Sequence, residues 1–323
     1  MRAGLKDVAK KVGVSAATVS ICLNRHPLSQ RIPKETQQHI FRVVEELGYQ
    51  PSTFARALST GHSDLIGIDI CEIFNSYFSH LAGFAIEEAA NFGFNVIVTQ
   101  EYTRSKCGGV LSENMLDGMI FCSGVPGKKP PAKPCVLIDC ERRGYNCVLH
   151  DITDAMRTAA QVMKQRGHKN VYGVFDRQAS KAKTFTAEFR KAGLSTKLSV
   201  FPTSSRTDRL STVEKILQKR PTALVINGHL TTRDLLHKLA AADNRYHPDI
   251  ISVCGFWNGE LIDPHLLGVV VTDVRGIAVN AVRMLVENIR SRDTVPVTKF
   301  IPAGFYRNSE LVNIPLTDPE NEY

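Results

Sequence analysis

The spacing of apolar residues changes character twice along the chain. Leu5, Val8, Ala9 and Val12 stand at i, i+3, i+4 and i+7, which predicts the buried face of a short helix. Gly13-Val14 interrupts that stripe, and glycine permits a sharp turn between helices. Ser15 is then the expected N-cap of a second helix running to about Asn24. On a helical wheel its Val19, Cys22 and Leu23 turn inward, while Ala17, Ser20, Ile21 and Asn24 turn outward. A third stripe, Ile40, Val43, Val44 and Leu47, lies in a helix that Pro33 opens and Gly48 ends. Three short helices with a tight turn between the first two predict a helix-turn-helix module.

From Asp64 onward, short apolar runs alternate with helical stretches. Strands are expected at 65–70, 95–99, 119–122, 135–138, 170–175, 223–227, 250–255 and 269–272. Helices are expected at 81–92, 155–166, 185–192, 211–219, 232–242 and 277–289. This alternation argues for α/β architecture with parallel strands, and about 250 residues is long for one sheet, so two similar lobes with a cleft are expected. Between the two regions, residues 51–61 are helix-compatible but barely two turns long, too short to order without a partner.

Charge gives the first region a purpose. The chain has 323 residues, 40 Lys+Arg against 32 Asp+Glu, and a formal charge of +8. Residues 1–63 hold nine of those cations and four of the anions, so +5 of the excess sits on one fifth of the chain. A basic segment built as a helix-turn-helix is an electrostatic footprint for nucleic acid. The outward Ile21 suits thymine methyls in a major groove, Ser20 and Asn24 suit base edges, and Thr18 and Asn24 suit phosphates. Elsewhere composition mostly excludes. No uninterrupted apolar run is long enough for a membrane span, Lys6, Asp7, Lys10 and Lys11 break any secretory signal, and a cytoplasmic location is expected. Eight cysteines include no C-x-x-C pair, so neither a structural metal nor a disulfide framework is expected. Phosphate-loop, dinucleotide, nucleophile-elbow and zinc-protease motifs are absent, so no enzyme and no cofactor are expected; Asp139 and Glu141 read as surface charges without a partner base.

Leu5-Lys-Asp-Val-Ala-Lys-Lys-Val-Gly-Val-Ser-Ala-Ala-Thr-Val-Ser20, then Leu23-Asn24, Glu45-Glu-Leu-Gly-Tyr49-Gln-Pro51 and Ala55-Arg-Ala-Leu58, resemble the opening signature of the lactose/galactose repressor (LacI/GalR) family. The loop 25–32 is longer than usual in that family, and Ile21 stands where a polar reader is common. The resemblance implies an all-α helix-turn-helix headpiece followed by an α/β, two-lobed, periplasmic-binding-protein-like effector domain. It implies a homodimeric repressor of a catabolic or transport operon, bound to a palindromic double-stranded operator and controlled by a small molecule between the lobes. The residues expected at DNA are Leu5, Ser15, Ala16, Ala17, Thr18, Ser20, Ile21, Asn24 and Tyr49 in the headpiece. In the hinge they are Arg56 near phosphates and Leu58 as a minor-groove wedge. The expected domains are 1–50, the hinge 51–63, the effector domain 64–314 and a disordered tail 315–323. Within the effector domain the first lobe is expected at about 64–166 and 273–292, the second at about 167–272 and 293–314, with crossings near Gly167-His168, Asp273 and Asp293-Thr294.

The same resemblance names effector positions: Phe74, Asn75 and Phe78 in Asn75-Ser-Tyr-Phe78, Asp151 in Val148-Leu-His-Asp151, Lys181, Asn227, Trp257 and Asp273. Several depart from the family pattern. Ser76 replaces a proline, Lys181 an arginine, Trp257 an acid and Asp273 a glutamine, while Asn227-Gly228 lacks a carboxylate. Lysine keeps the charge but loses the bidentate fork that grips adjacent hydroxyls. Two functions therefore remain open at this point: a regulator with a cleft effector, and a DNA-binding regulator whose lobes serve dimerisation or co-regulator docking without a sugar effector. A transport-type binding protein fits only the second region.

Overall fold

The computed structural model describes residues 3–23, 27–49, 61–100, 116–122, 133–176, 179–201, 206–241, 246–254, 265–291 and 295–313. Asn24, Arg56, Leu58, Trp257 and the tail lie outside the described residues. The chain divides into two units, residues 1–65 with 114–117, and residues 66–113 with 118–323.

In the first unit, α1 spans Leu5–Val12, α2 Ala16–Leu23 and α3 Lys34–Glu46, with a 3-10 turn at Pro27–Arg31. Gly13 ends α1 in the left-handed region at φ 82, where its N–H reaches Ala9 O, so the turn has the residue that this backbone requires. Val8, Val19, Cys22, Ile40 and Val43 are buried together, one contribution or more from each helix. Gln37 ties the longer loop to α3 by donating to the carbonyls of Ser29 (2.9 Å) and Ile32 (2.8 Å).

The second unit contains β1 Leu65–Ile70, α4 Ser76–Asn91, β2 Asn95–Gln100, β3 Gly118–Cys122, β4 Cys135–Ile138, β5 Asn146–Asp151 and α5 Thr153–Gln165. These are followed by β6 Asn170–Asp176, α6 Ala179–Lys191, β7 Ser195–Phe201, α7 Arg206–Gln218, β8 Ala223–Asn227 and α8 His229–Ala241. The unit closes with β9 Asp249–Cys254, β10 Leu266–Thr272, α9 Val274–Arg290 and β11 Thr298–Arg307. The strand order is β2-β1-β3-β4-β5-β11-β10-β9-β8-β6-β7.

β11 joins the two halves of that order. Its first half, Thr298–Pro302, runs parallel to Cys147–Asp151 of β5, and its second half, Ala303–Arg307, runs antiparallel to Thr272–Gly268 of β10. The partner changes at Pro302-Ala303. Each half has its own core. One gathers β1, β3, β4, α4 and α9 around Ile68, Leu81, Ile277 and Leu285. The other gathers α5, α6 and the strands from β6 onward around Met156, Phe175, Phe185 and Val225, with a second layer under α7 and α8.

Those cores bear on the first of the expected crossings. Ala155, Met156, Ala159, Ala160 and Met163 of α5 are buried in the second lobe's core. The chain therefore leaves the first lobe at Asp151–Thr153 rather than at Gly167-His168, because the apolar stripe of α5 fits the β6 side of the sheet. β11 itself changes lobe at Pro302-Ala303, and the crossing expected near Asp293-Thr294 lies outside the described residues. The crossing expected near Asp273 falls where β10 of the second lobe hands over to α9 of the first.

Candidate DNA interface and interlobe site

The headpiece positions its second helix by a cap and a core. Ser15 Oγ accepts from the N–H of Thr18 at 3.0 Å and shares a 2.8 Å hydrogen bond with the Thr18 hydroxyl, satisfying the open end of α2. Val19 and Cys22 anchor the inner face. Ala17 is exposed, and Thr18, Ser20 and Ile21 are half-buried and absent from the headpiece core cluster. Leu5, Ala16 and Tyr49 pack against that core, so their contribution to any interface includes holding the helices in register. Lys11 pairs with Glu46 at 2.6 Å on the surface, tying α1 to α3.

The cleft of the second unit is built differently. Its floor lies at the C-terminal ends of β4 and β5, where open α/β sheets leave a crevice. Asp139 follows β4 with φ 57, a left-handed backbone that aspartate tolerates better than most residues. His150 comes from β5, and Tyr77 from the first turn of α4. The Tyr77 hydroxyl donates to Asp139 Oδ2 at 2.7 Å and lies 2.9 Å from His150 Nε2, which is itself 3.1 Å from Asp139 Oδ1. Three residues far apart in sequence thus form a closed, buried polar cluster; the His150 and Asp139 side chains are 2% and 7% exposed.

Burial alone raises the Asp139 carboxyl, but His150, the Lys181 ammonium and the Tyr77 hydrogen bond act the other way and bring it to about 2. Burial, and then the charge of Asp139, push the Tyr77 hydroxyl well up, so it keeps its proton and remains a donor. Lys181 reaches this field from α6 of the second lobe. A cleft of about 380 Å³ opens beside the cluster, lined by Asp139 and His150 from one lobe and by Thr153, Lys181 and Thr184 from the other, with Asp151 at the crossing.

Of the effector positions expected from sequence, Asp151 and Lys181 line this cleft together. Asp151 Oδ1 also accepts from Thr153 N–H at 2.9 Å, fixing the start of α5. Asn75 and Asp273 serve as N-caps, accepting from Tyr77 N at 3.0 Å and Gly276 N at 2.7 Å. Phe78 packs on the first lobe's core and against Tyr77, Phe74 is 92% exposed, and Asn227 is buried at the end of β8. Asp139 is not the surface charge expected; its partner base is His150, eleven positions on and invisible without the β4–β5 pairing. Glu141 is exposed, as expected.

The sequence profile "Bacterial regulatory proteins, lacI family" matches residues 4–52, and "Periplasmic binding protein-like domain" matches residues 160–309. Residues 4–52 are thus a LacI-type regulatory region, followed by a periplasmic-binding-protein-like one. The chain is a transcriptional regulator of the helix-turn-helix, DNA-binding kind. Among LacI-family relatives, catabolite control protein A of Priestia megaterium is 27% identical over 84% of this chain and 88% of that protein. The transcriptional repressor PurR of Aliivibrio fischeri (strain MJ11) is 26% identical over 90% of this chain and 93% of that protein. The fold is also that of the lac repressor dimer bound to operator and an anti-inducer, with a TM-score of 0.79 at 18% identity over 95% of this chain and 99% of that one. Among the described residues, no helix is long and apolar enough to cross a membrane.

Proposed function

We propose that this chain acts as a homodimer that represses a catabolic or transport operon from a palindromic operator, released or recruited by a small molecule in the interlobe cleft. The observation that carries the DNA half is α2, capped by Ser15 and anchored by Val19 and Cys22, presenting Ala17 with the half-buried Thr18, Ser20 and Ile21. In a major groove Ile21 meets thymine methyls and Ser20 a base edge, while Thr18 positions the helix on phosphate. Two-fold symmetry of the protein demands two-fold symmetry of the site. Arg56 near phosphates and Leu58 in the minor groove complete the contact, with Leu58 kinking the central step.

The observation that carries the effector half is a polar cleft contributed by both lobes, with Lys181 of one lobe in the field of Asp139 of the other. A ligand there binds the two lobe arrangements unequally and shifts DNA affinity by that difference. Among its described lining residues the cleft offers hydrogen-bonding and charged groups, and the chain acts in the cytoplasm as a regulator rather than as an enzyme.

In vitro selection of duplexes bound by the full-length chain tests the DNA half: recovery of a palindrome is expected, and sequences without two-fold symmetry would overturn it. Leu58→Ala should lower both operator affinity and bending; unchanged values would remove the wedge.

A further inference from the structure

The cluster beneath the cleft leaves one buried atom unsatisfied. The only hydrogen on the Tyr77 hydroxyl is spent on Asp139 Oδ2, so the two oxygens around His150 Nε2, Tyr77 Oη and Asp139 Oδ1, both accept. Nε2 must therefore carry the proton, and in the neutral ring Nδ1 is left with a bare lone pair. Nδ1 is buried and has no hydrogen-bond partner among the described residues, although His150 lines the cleft. A buried acceptor of this kind is costly until something donates to it. The charge of the cleft says what sort of donor. Among its described lining residues the cleft has three carboxylates, Asp139, Glu141 and Asp151, against the single ammonium of Lys181, which already acts on Asp139, so negative charge is in excess there. Phe300 of β11, 56% exposed, supplies an apolar wall.

We propose that the cleft takes a small amine-bearing ligand with an apolar body: its N–H donates to His150 Nδ1, Glu141 and Asp151 offset its charge, and its body lies on Phe300. This rests on the cleft being the effector site and specifies what that effector is. Phosphorylated and carboxylated compounds are disfavoured by the uncompensated carboxylates. Neutral polyols lack the charge that the cleft is set to receive.

The test uses the full-length chain labelled with ¹⁵N-histidine near neutral pH, titrated with 2-phenylethylamine, 2-phenylethanol and phenylacetate, and with glucosamine, glucose and glucose 6-phosphate. Before addition, the His150 signal should report a protonated Nε2 and an unprotonated Nδ1. The amines should shift Nδ1 and bind at least tenfold more tightly than their neutral and anionic counterparts. His150→Gln should abolish that preference, and the exposed Glu141→Gln, which leaves the buried cluster in place, should weaken amine binding about threefold. A protonated Nδ1, an amine series that leaves it unmoved, or a neutral or anionic compound that binds as tightly would overturn the proposal. Operator affinity, measured alongside, separates the two readings. A neutral or anionic compound that binds the cleft and changes operator affinity would sink the amine assignment and leave cleft control standing. Amine binding at His150 with unchanged operator affinity would do the reverse.

Discussion

The headpiece and the interlobe cleft are both small polar surfaces set on buried apolar stripes, yet they are assembled by opposite means. In α2 the capping hydroxyl, the buried anchors and the exposed face fall within nine consecutive residues, 15–23. In the cleft Tyr77, Asp139 and His150 come from three separate elements, and Lys181 from the other lobe. A surface encoded locally fails one helix at a time. A surface encoded by strand order fails as a unit, because each member satisfies the others.

The largest expected effect breaks the cleft. Asp139→Ala leaves His150 and Tyr77 buried without their acceptor, a loss of about 1–3 kcal/mol for each of the two groups. A cycle with His150→Phe should be strongly non-additive in urea unfolding. Additive losses would mean that the cluster is not one unit. In the headpiece, Ile40→Ala removes the α3 anchor from a core holding few large side chains and should cost about 2–5 kcal/mol. Amide exchange should then rise throughout α1–α3; a rise confined to α3 would show that the three helices do not share one core.

Acid sharpens the comparison. The folded Asp139 titrates at about 2, against 3.8 for an ordinary aspartate, so its folded value is depressed. The resulting stability, about 2 kcal/mol, is fully present above the ordinary value and is lost as pH falls through about 2. Asp139→Asn should remove that part of the pH dependence while the α2 surface, which has no such carboxylate, keeps its profile. An unchanged acid limb would remove the assigned origin. The smallest effect is local: Ser15→Ala should cost about 1 kcal/mol of headpiece stability, and Ser15→Asp should recover it because either oxygen caps a helix. Operator affinity should fall in the aspartate variant all the same, since the new charge faces phosphate.

Legibility in sequence follows the same division. The headpiece stripes, the Gly13 turn and the Ser15 cap lie within one or two helical turns, and the structure has them at the expected residues. Most effector-domain elements lie within a few residues of their expected bounds. The strands not anticipated, β5, β7 and β11, read poorly for identifiable reasons. β5 has only a short apolar centre, β7 alternates with Leu198 and Val200 exposed, and β11 contains Pro302 and Gly304. Two of them carry His150, Asp151 and Phe300, so the candidate site was obscured where its strands were.

By itself the sequence determined the class of the protein: a basic helix-turn-helix followed by alternating strands and helices, because helix periodicity, caps and charge density are properties of neighbouring residues. Which carboxylate is buried was decided only by the tertiary structure. Asp139 and Glu141 are two positions apart, yet one lies in a hydrogen-bonded cluster and the other in solvent. The pairing of β4 with β5, and the change of partner along β11, bring His150 to Asp139 and Lys181 of the second lobe to the same cleft. Electrostatic environment depends on distance through space, which local sequence does not contain.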